Sequence, residues 1–190
     1  WLEAVPDERL VYYNLDDYAL YRPERAEEIR RQEDALLRRA RLSICLSQTQ
    51  VEALSERHPD RADHIRHFPL GVSRSFLNPE PVAPPDADTV GYIGNLGDRV
   101  DWSLVDAVAE RCPNLRFVFV GRATDTDGSE EWIRARSRVL ARENVEHVGY
   151  VPQQEVPHYY WSFATTWIPY DTDHPFNRAA CPTKIMDGIA

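Results

Sequence analysis

Lysine is all but absent from this chain. Of its 22 basic side chains one, Lys184, is lysine and the other 21 are arginine. So strong a bias reflects coding composition before physics. It still marks one position where a compact ammonium on a flexible stem replaces a planar guanidinium fork. Positive charge is also scarce overall, with a net charge of −9 over 190 residues. That argues against non-specific nucleic-acid binding, which needs basic surface to displace phosphate counterions, but leaves room for a local phosphate site. The three cysteines, Cys45, Cys112 and Cys181, are odd in number, far apart and at no zinc spacing, so they read as reduced thiols. The six histidines show no H-x-x-x-H spacing. No apolar run reaches the roughly 18 residues of a membrane-spanning helix, and no secretory signal pattern is visible. A cytoplasmic location follows as the expectation, with peripheral contact at the inner face of the membrane left open.

What is present is an ordinary globular composition, 43% apolar and 28% charged. Residues 10–15 form a β-branched and aromatic run that predicts a buried strand. Apolar residues at helical spacing predict a helix over 23–41, with Pro23 in its first turn. A strand over 42–47 follows, then a helix to Arg57 capped by Ser47, then a strand over 64–70. Residues 78–89 hold four prolines and no apolar periodicity, which predicts a linker between two domains, 1–77 and 90–190.

Beyond the linker, strands over 90–93, 115–120, 145–150 and 164–169 alternate with helices over 102–111, 130–142 and 153–162. A polar loop over 171–181 leads to a last helix from Pro182. Apolar strands alternating with helices predict an α/β fold whose parallel sheet is covered on both faces. Tyr159, Tyr160, Trp161 and Phe163 read as core rather than as a membrane anchor.

Ligands of open α/β sheets bind beyond the C-terminal ends of the strands. Gly94-Asn95-Leu96-Gly97 and Gly121-Arg122 lie at two such ends. Each reads either as a tight turn or as a backbone that can approach a phosphate. At a third, Lys184 sits in the first turn after Pro182, where a cation opposes the helix dipole. That local conflict makes sense if ammonium and helix start converge on one anion. Asp187, three residues on, shares its face, so a solvated i,i+3 ion pair is the competing reading. Asp16-Asp17 are adjacent rather than D-x-D and read as strand-end or cleft residues, not metal ligands.

These segments resemble the family 4-like retaining glycosyltransferases of GT-B fold, in the branch with a P-x-K-x-x-E-Y-x-A pattern. Pro182 to Ala190 carries that pattern. Val90-Gly91-Tyr92-Ile93-Gly94-Asn95-Leu96 resembles the family's first C-domain strand and phosphate-side loop. Asn144 to Pro152 resembles its N-V-x-x-x-G-x-V-P strand, and Trp167-Ile168-Pro169-Tyr170 its x-x-P-Y strand end. Upstream, Tyr12 to Tyr18, Ala40 to Ser47, and Pro69-Leu70-Gly71-Val72 with Phe76 match its N-domain segments in order.

The resemblance implies two Rossmann-like domains and a nucleoside-diphosphate-sugar donor, with no metal or other cofactor. Lys184 would contact the diphosphate, helped by Gly94, Asn95 and Thr183. Asp187 would hold the ribose, and Asn177, Arg122 and Tyr150 the sugar or base side. The acceptor would be a glycan, a lipid-linked or a small molecule. Three positions depart from the pattern: Asp187 replaces its glutamate, Gly188 its aromatic, and Ala179 its upstream acid. The chain reads as a fragment that alone binds donor weakly and turns over little. Two rivals stay open, a non-hydrolysing sugar-nucleotide 2-epimerase of the same fold and a non-catalytic glycosyltransferase-like partner subunit.

Overall fold

The computed structural model describes residues 5–77, 85–124 and 131–190. Internal contacts divide the chain into two units. One comprises Trp1–Leu70 with Thr172–Cys181, the other Gly71–Asp171 with Pro182–Ala190.

The first unit holds three parallel strands in spatial order, β1 (Val11–Asn14), β2 (Leu42–Cys45) and β3 (Ile65–His67). Helix α1 (Tyr18–Tyr21) follows β1, and Asp17 caps it by accepting from the Leu20 N–H at 3.2 Å. Asp17 also pairs with Arg30 at 2.6 Å, so its role within this unit is structural. Pro23 starts a separate 3-10 turn, and helix α2 runs over Ala26–Arg39. Helix α3 (Gln48–Arg57) begins with a capping box in which Ser47 and Gln50 satisfy each other's backbone N–H groups. Leu37, Cys45, Leu54 and Ile65 form the core.

The second unit is a four-stranded parallel sheet in the order β6 (Val145–Gly149), β5 (Arg116–Val120), β4 (Asp86–Ile93), β7 (Phe163–Thr166). Helices α4 (Trp102–Arg111), α5 (Glu131–Leu140) and α6 (Val156–Ser162) connect or flank the strands. Strand β5 explains why its sequence is apolar at successive positions. Phe117 and Phe119 enter the cluster that includes Trp102, Val105 and Val139, while Val118 and Val120 enter the one with Phe163 on the other face. Gly91 is a packing requirement, since a β-carbon there would fall inside the Phe163 ring. Phe163 is buried and Tyr159, Tyr160 and Trp161 are half-buried, in keeping with a core role.

Several boundaries differ from the sequence expectation. Strand β4 starts at Asp86, not Val90, because Asp86 pairs with Phe163 of β7; residues 78–84 of the expected linker lie outside the described residues. The expected polar loop contains helix α7 (Pro175–Ala179), which groups with the first unit and packs Phe176 against Tyr21 with ring centroids 5.2 Å apart. Strand β6, at the sheet edge, carries exposed Glu146 and His147 rather than an unbroken apolar run. A final helix, α8 (Thr183–Ile189), belongs to the second unit.

Candidate functional site

The chain runs outward from β4 through β5 to β6, then returns to place β7 on the other side of β4. The sheet therefore reverses direction between β4 and β7, and ligands of such sheets bind at that crevice beyond the strand ends. Two predicted segments meet there, the turn after β4 and the first turn of α8.

The turn after β4 is tied to its neighbours through the backbone. The Gly94 N–H donates to Val120 at 2.8 Å, Leu96 to Arg122 at 2.9 Å, and Gly121 to Gly149 at 2.8 Å. Because its N–H is engaged this way, Gly94 offers space more than a free donor. Its carbonyls are held from below: Tyr92 Oη donates to Asn95 at 3.0 Å, and the indole of Trp102 to Gly97 at 2.9 Å. Arg136, 3% exposed, reaches from α5 to donate to the Leu96 carbonyl at 2.7 Å. A buried guanidinium in that position fixes the turn as a rigid element. Neither Tyr92 nor Arg136 carried a sequence signal for this role, because each acts on a backbone carbonyl, Tyr92 on that of Asn95 and Arg136 from far along the chain on that of Leu96.

Lys184 lies directly on Gly94. A β-carbon at Gly94 would overlap Lys184 Cε and stand 2.9 Å from its Nζ. The ammonium donates to Tyr170 Oη at 3.1 Å and sits 5.8 Å from the centre of the Tyr92 ring. Among the described residues no carboxylate comes within ion-pair distance of it, so the i,i+3 pair with Asp187 is not formed. Tyr170, the last residue of the Trp167 to Tyr170 motif, contacts Lys184 directly, a role the motif alone did not reveal.

Beside Gly94 lies a cavity of about 430 Å³. Ile93, Val120 and Val151 give it apolar walls, while Asn95, Arg122 and Tyr150 supply polar groups. The Arg122 guanidinium stacks on the Tyr150 ring at 4.5 Å. Thr124 Oγ1 donates to the Asn95 side-chain oxygen at 3.2 Å.

Gly94, Asn95, Arg122 and Tyr150 therefore gather around one cavity, and Lys184 joins them across Gly94. Thr183 is exposed at the start of α8. Asp187, one turn on, is half-buried, and burial raises its carboxyl above the usual aspartate range despite the opposing charge of Lys184. Asn177 lies on α7, in the first unit.

No protein-family model matches this sequence. Over 102 residues the chain is 29% identical to TuaH of Bacillus subtilis (strain 168), a proposed glycosyltransferase of teichuronic acid biosynthesis, a stretch covering 53% of this chain and 24% of that protein. Among solved structures, Anabaena HepE in complex with UDP and glucose matches with a TM-score of 0.62 at 21% identity, over 82% of this chain and 45% of its own. S. aureus TarM, in complex with Fondaparinux, alpha-GlcNAc-glycerol and UDP, matches with a TM-score of 0.54 at 13% identity, over 72% and 27%. The chain thus spans about a quarter of TuaH and less than half of HepE. What the likeness establishes is the architecture: parallel sheets flanked by helices, in the GT-B fold.

Proposed function

We propose that this chain carries the donor site of a glycosyltransferase that moves a sugar from a nucleoside-diphosphate sugar to a glycan, lipid-linked or small-molecule acceptor. One observation carries the reading: the Lys184 ammonium, unpaired with any carboxylate among the described residues, rests on Gly94 at the crevice where the sheet reverses. The leaving diphosphate gains negative charge as the glycosidic bond breaks, and a fixed cation at that point stabilises the transition state. The neighbouring cavity, with apolar walls and Arg122 at Tyr150, has the character of a nucleotide pocket. The UDP bound in HepE and TarM makes UDP-sugars the first donors to try.

We further propose that the reaction needs no metal. Lys184 supplies positive charge at the leaving group, the role a divalent cation would otherwise take. Retention at the anomeric carbon follows the family resemblance.

The test is calorimetry and thermal shift of the full-length protein with UDP, GDP and their sugars. Binding of one nucleotide, weakened by Lys184→Met, is the expected result; no binding of any would sink the reading. Asp187 and Ala179, where the family has glutamate and an acid, favour the non-catalytic alternative, and nucleotide binding without turnover on any acceptor would be its outcome.

A further inference from the structure

Lys184 reaches Gly94 from a short helix on a long stem, and such a side chain has no intrinsic preference for one direction. Something must hold it there. Its i+3 neighbour Asp187 does not, since no ion pair forms. The hydrogen bond to Tyr170 Oη at 3.1 Å does. Tyr170 is itself pinned. Its backbone bridges to Val100, its flanking residues Pro169 and Asp171 bond to Asp101 and Arg99, and the Arg99 guanidinium covers its ring at 4.6 Å. The Tyr92 ring lies on the same ammonium, 5.8 Å from centroid to Nζ, and its hydroxyl donates to the Asn95 carbonyl. The ammonium therefore sits between two phenols, one bonded to it and the other bonded to the turn beside the cavity.

We propose that Tyr170 is a positioning residue of the donor site, whose hydroxyl holds the Lys184 ammonium over Gly94 so that it meets the donor's diphosphate. The proposal rests on the donor-site reading above. A neutral phenol suits this task better than a carboxylate. It fixes the direction of the ammonium through one hydrogen bond but leaves its charge uncompensated for an incoming anion. A carboxylate partner at the same place would neutralise the site before the ligand arrived. Tyr92 beside it locates the turn on which the cation rests, through its bond to the Asn95 carbonyl.

The experiment is a double-mutant cycle on the full-length protein, titrating the tightest binder of UDP, GDP and ADP into wild type, Tyr170→Phe, Lys184→Met and the double variant. Tyr170→Phe keeps the ring and the backbone pinning, and its melting curve confirms the fold. The expected result is an affinity about 5- to 10-fold lower in Tyr170→Phe, with no further loss when the change is made on top of Lys184→Met. Unchanged affinity in Tyr170→Phe overturns the proposal. So does an equal loss in the presence and absence of Lys184, which would assign Tyr170 a role independent of the lysine. If wild type binds none of the three nucleotides, the donor-site reading falls first and this proposal with it, an outcome distinct from the other two.

Discussion

Gly121 is packed so tightly on Gly94 that a β-carbon on Gly121 would overlap the Gly94 carbonyl oxygen and lie 2.7 Å from its carbon. Gly121 also has φ +144°, a conformation that side-chain-bearing residues rarely adopt. Strain and overlap therefore act together at this position. Gly121→Ala should cost roughly 2–4 kcal/mol of stability. Chemical denaturation measures this, and the displaced turn should weaken nucleotide binding in the same variant.

Lys184→Arg keeps the charge but not the shape. The lysine stem lies flush along Gly94, between the rings of Tyr92 and Tyr170. A guanidinium is wider and rigid, and cannot present a point charge in that slot. Nucleotide affinity should fall at least about tenfold, close to the loss in Lys184→Met. Calorimetry on the two variants side by side checks it, and wild-type affinity in Lys184→Arg would contradict the fit described above.

Asp187 should reveal itself through opposite effects on stability and binding. Burial raises its folded-state value above the unfolded one, so ionisation opposes folding. That penalty is absent below the unfolded value, about pH 4, and develops fully as pH rises through the folded one. Asp187→Asn should therefore melt higher than wild type at neutral pH, with the difference closing as pH falls below about 4. If the carboxylate serves the ribose, the same variant should bind nucleotide less well, a trade typical of functional sites. Paired melting and binding series across pH provide the measurement.

Glu33 anchors the first unit. It is 7% exposed and accepts from Tyr12 Oη at 3.0 Å, Arg30 at 3.1 Å and Arg57 at 2.8 Å. Arg57→Met removes one partner and leaves the buried carboxylate under-compensated, at a cost of about 2 kcal/mol or more. Arg57 also bonds Asp34 at 2.6 Å. Burial pushes Asp34 up, but the hydrogen bonds from Arg57 and His58 outweigh it and hold its carboxyl below the usual range. A depressed carboxylate contributes stability above its unfolded value and loses it as pH falls through the folded one. Wild type should therefore lose more stability on acidification than Arg57→Met, as denaturation at pH 7 and near pH 3 will show.

Much of the fold was legible because its causes are local. The apolar run Phe117 to Val120 announced a strand buried on both faces, and both core clusters of the second unit use it. Ser47 announced a helix start, and the capping box is there. Helix α7 was not legible, since five residues offer no periodicity and its anchor, Phe176 on Tyr21, comes from far along the chain. The first half of β4 was hidden for a similar reason. Asp86 and Asp88 are poor strand formers alone, and pairing with β7 draws this end into the sheet.

For the site, the sequence by itself determined which residues were candidates: glycines at strand ends, and one lysine in a first helical turn. It left Lys184 two partners at equal reach, Asp187 on its own helix or an anion beyond the sheet. Only the tertiary structure showed that the pair with Asp187 is not formed and that Tyr170 takes the ammonium instead. The strand order puts β7 beside β4, so the residues following β7 bring the Tyr170 hydroxyl to the ammonium over Gly94. Helical spacing fixes what a side chain can reach along its own element. Which groups stand across from it depends on which strands are neighbours, and that is a property of the whole sheet.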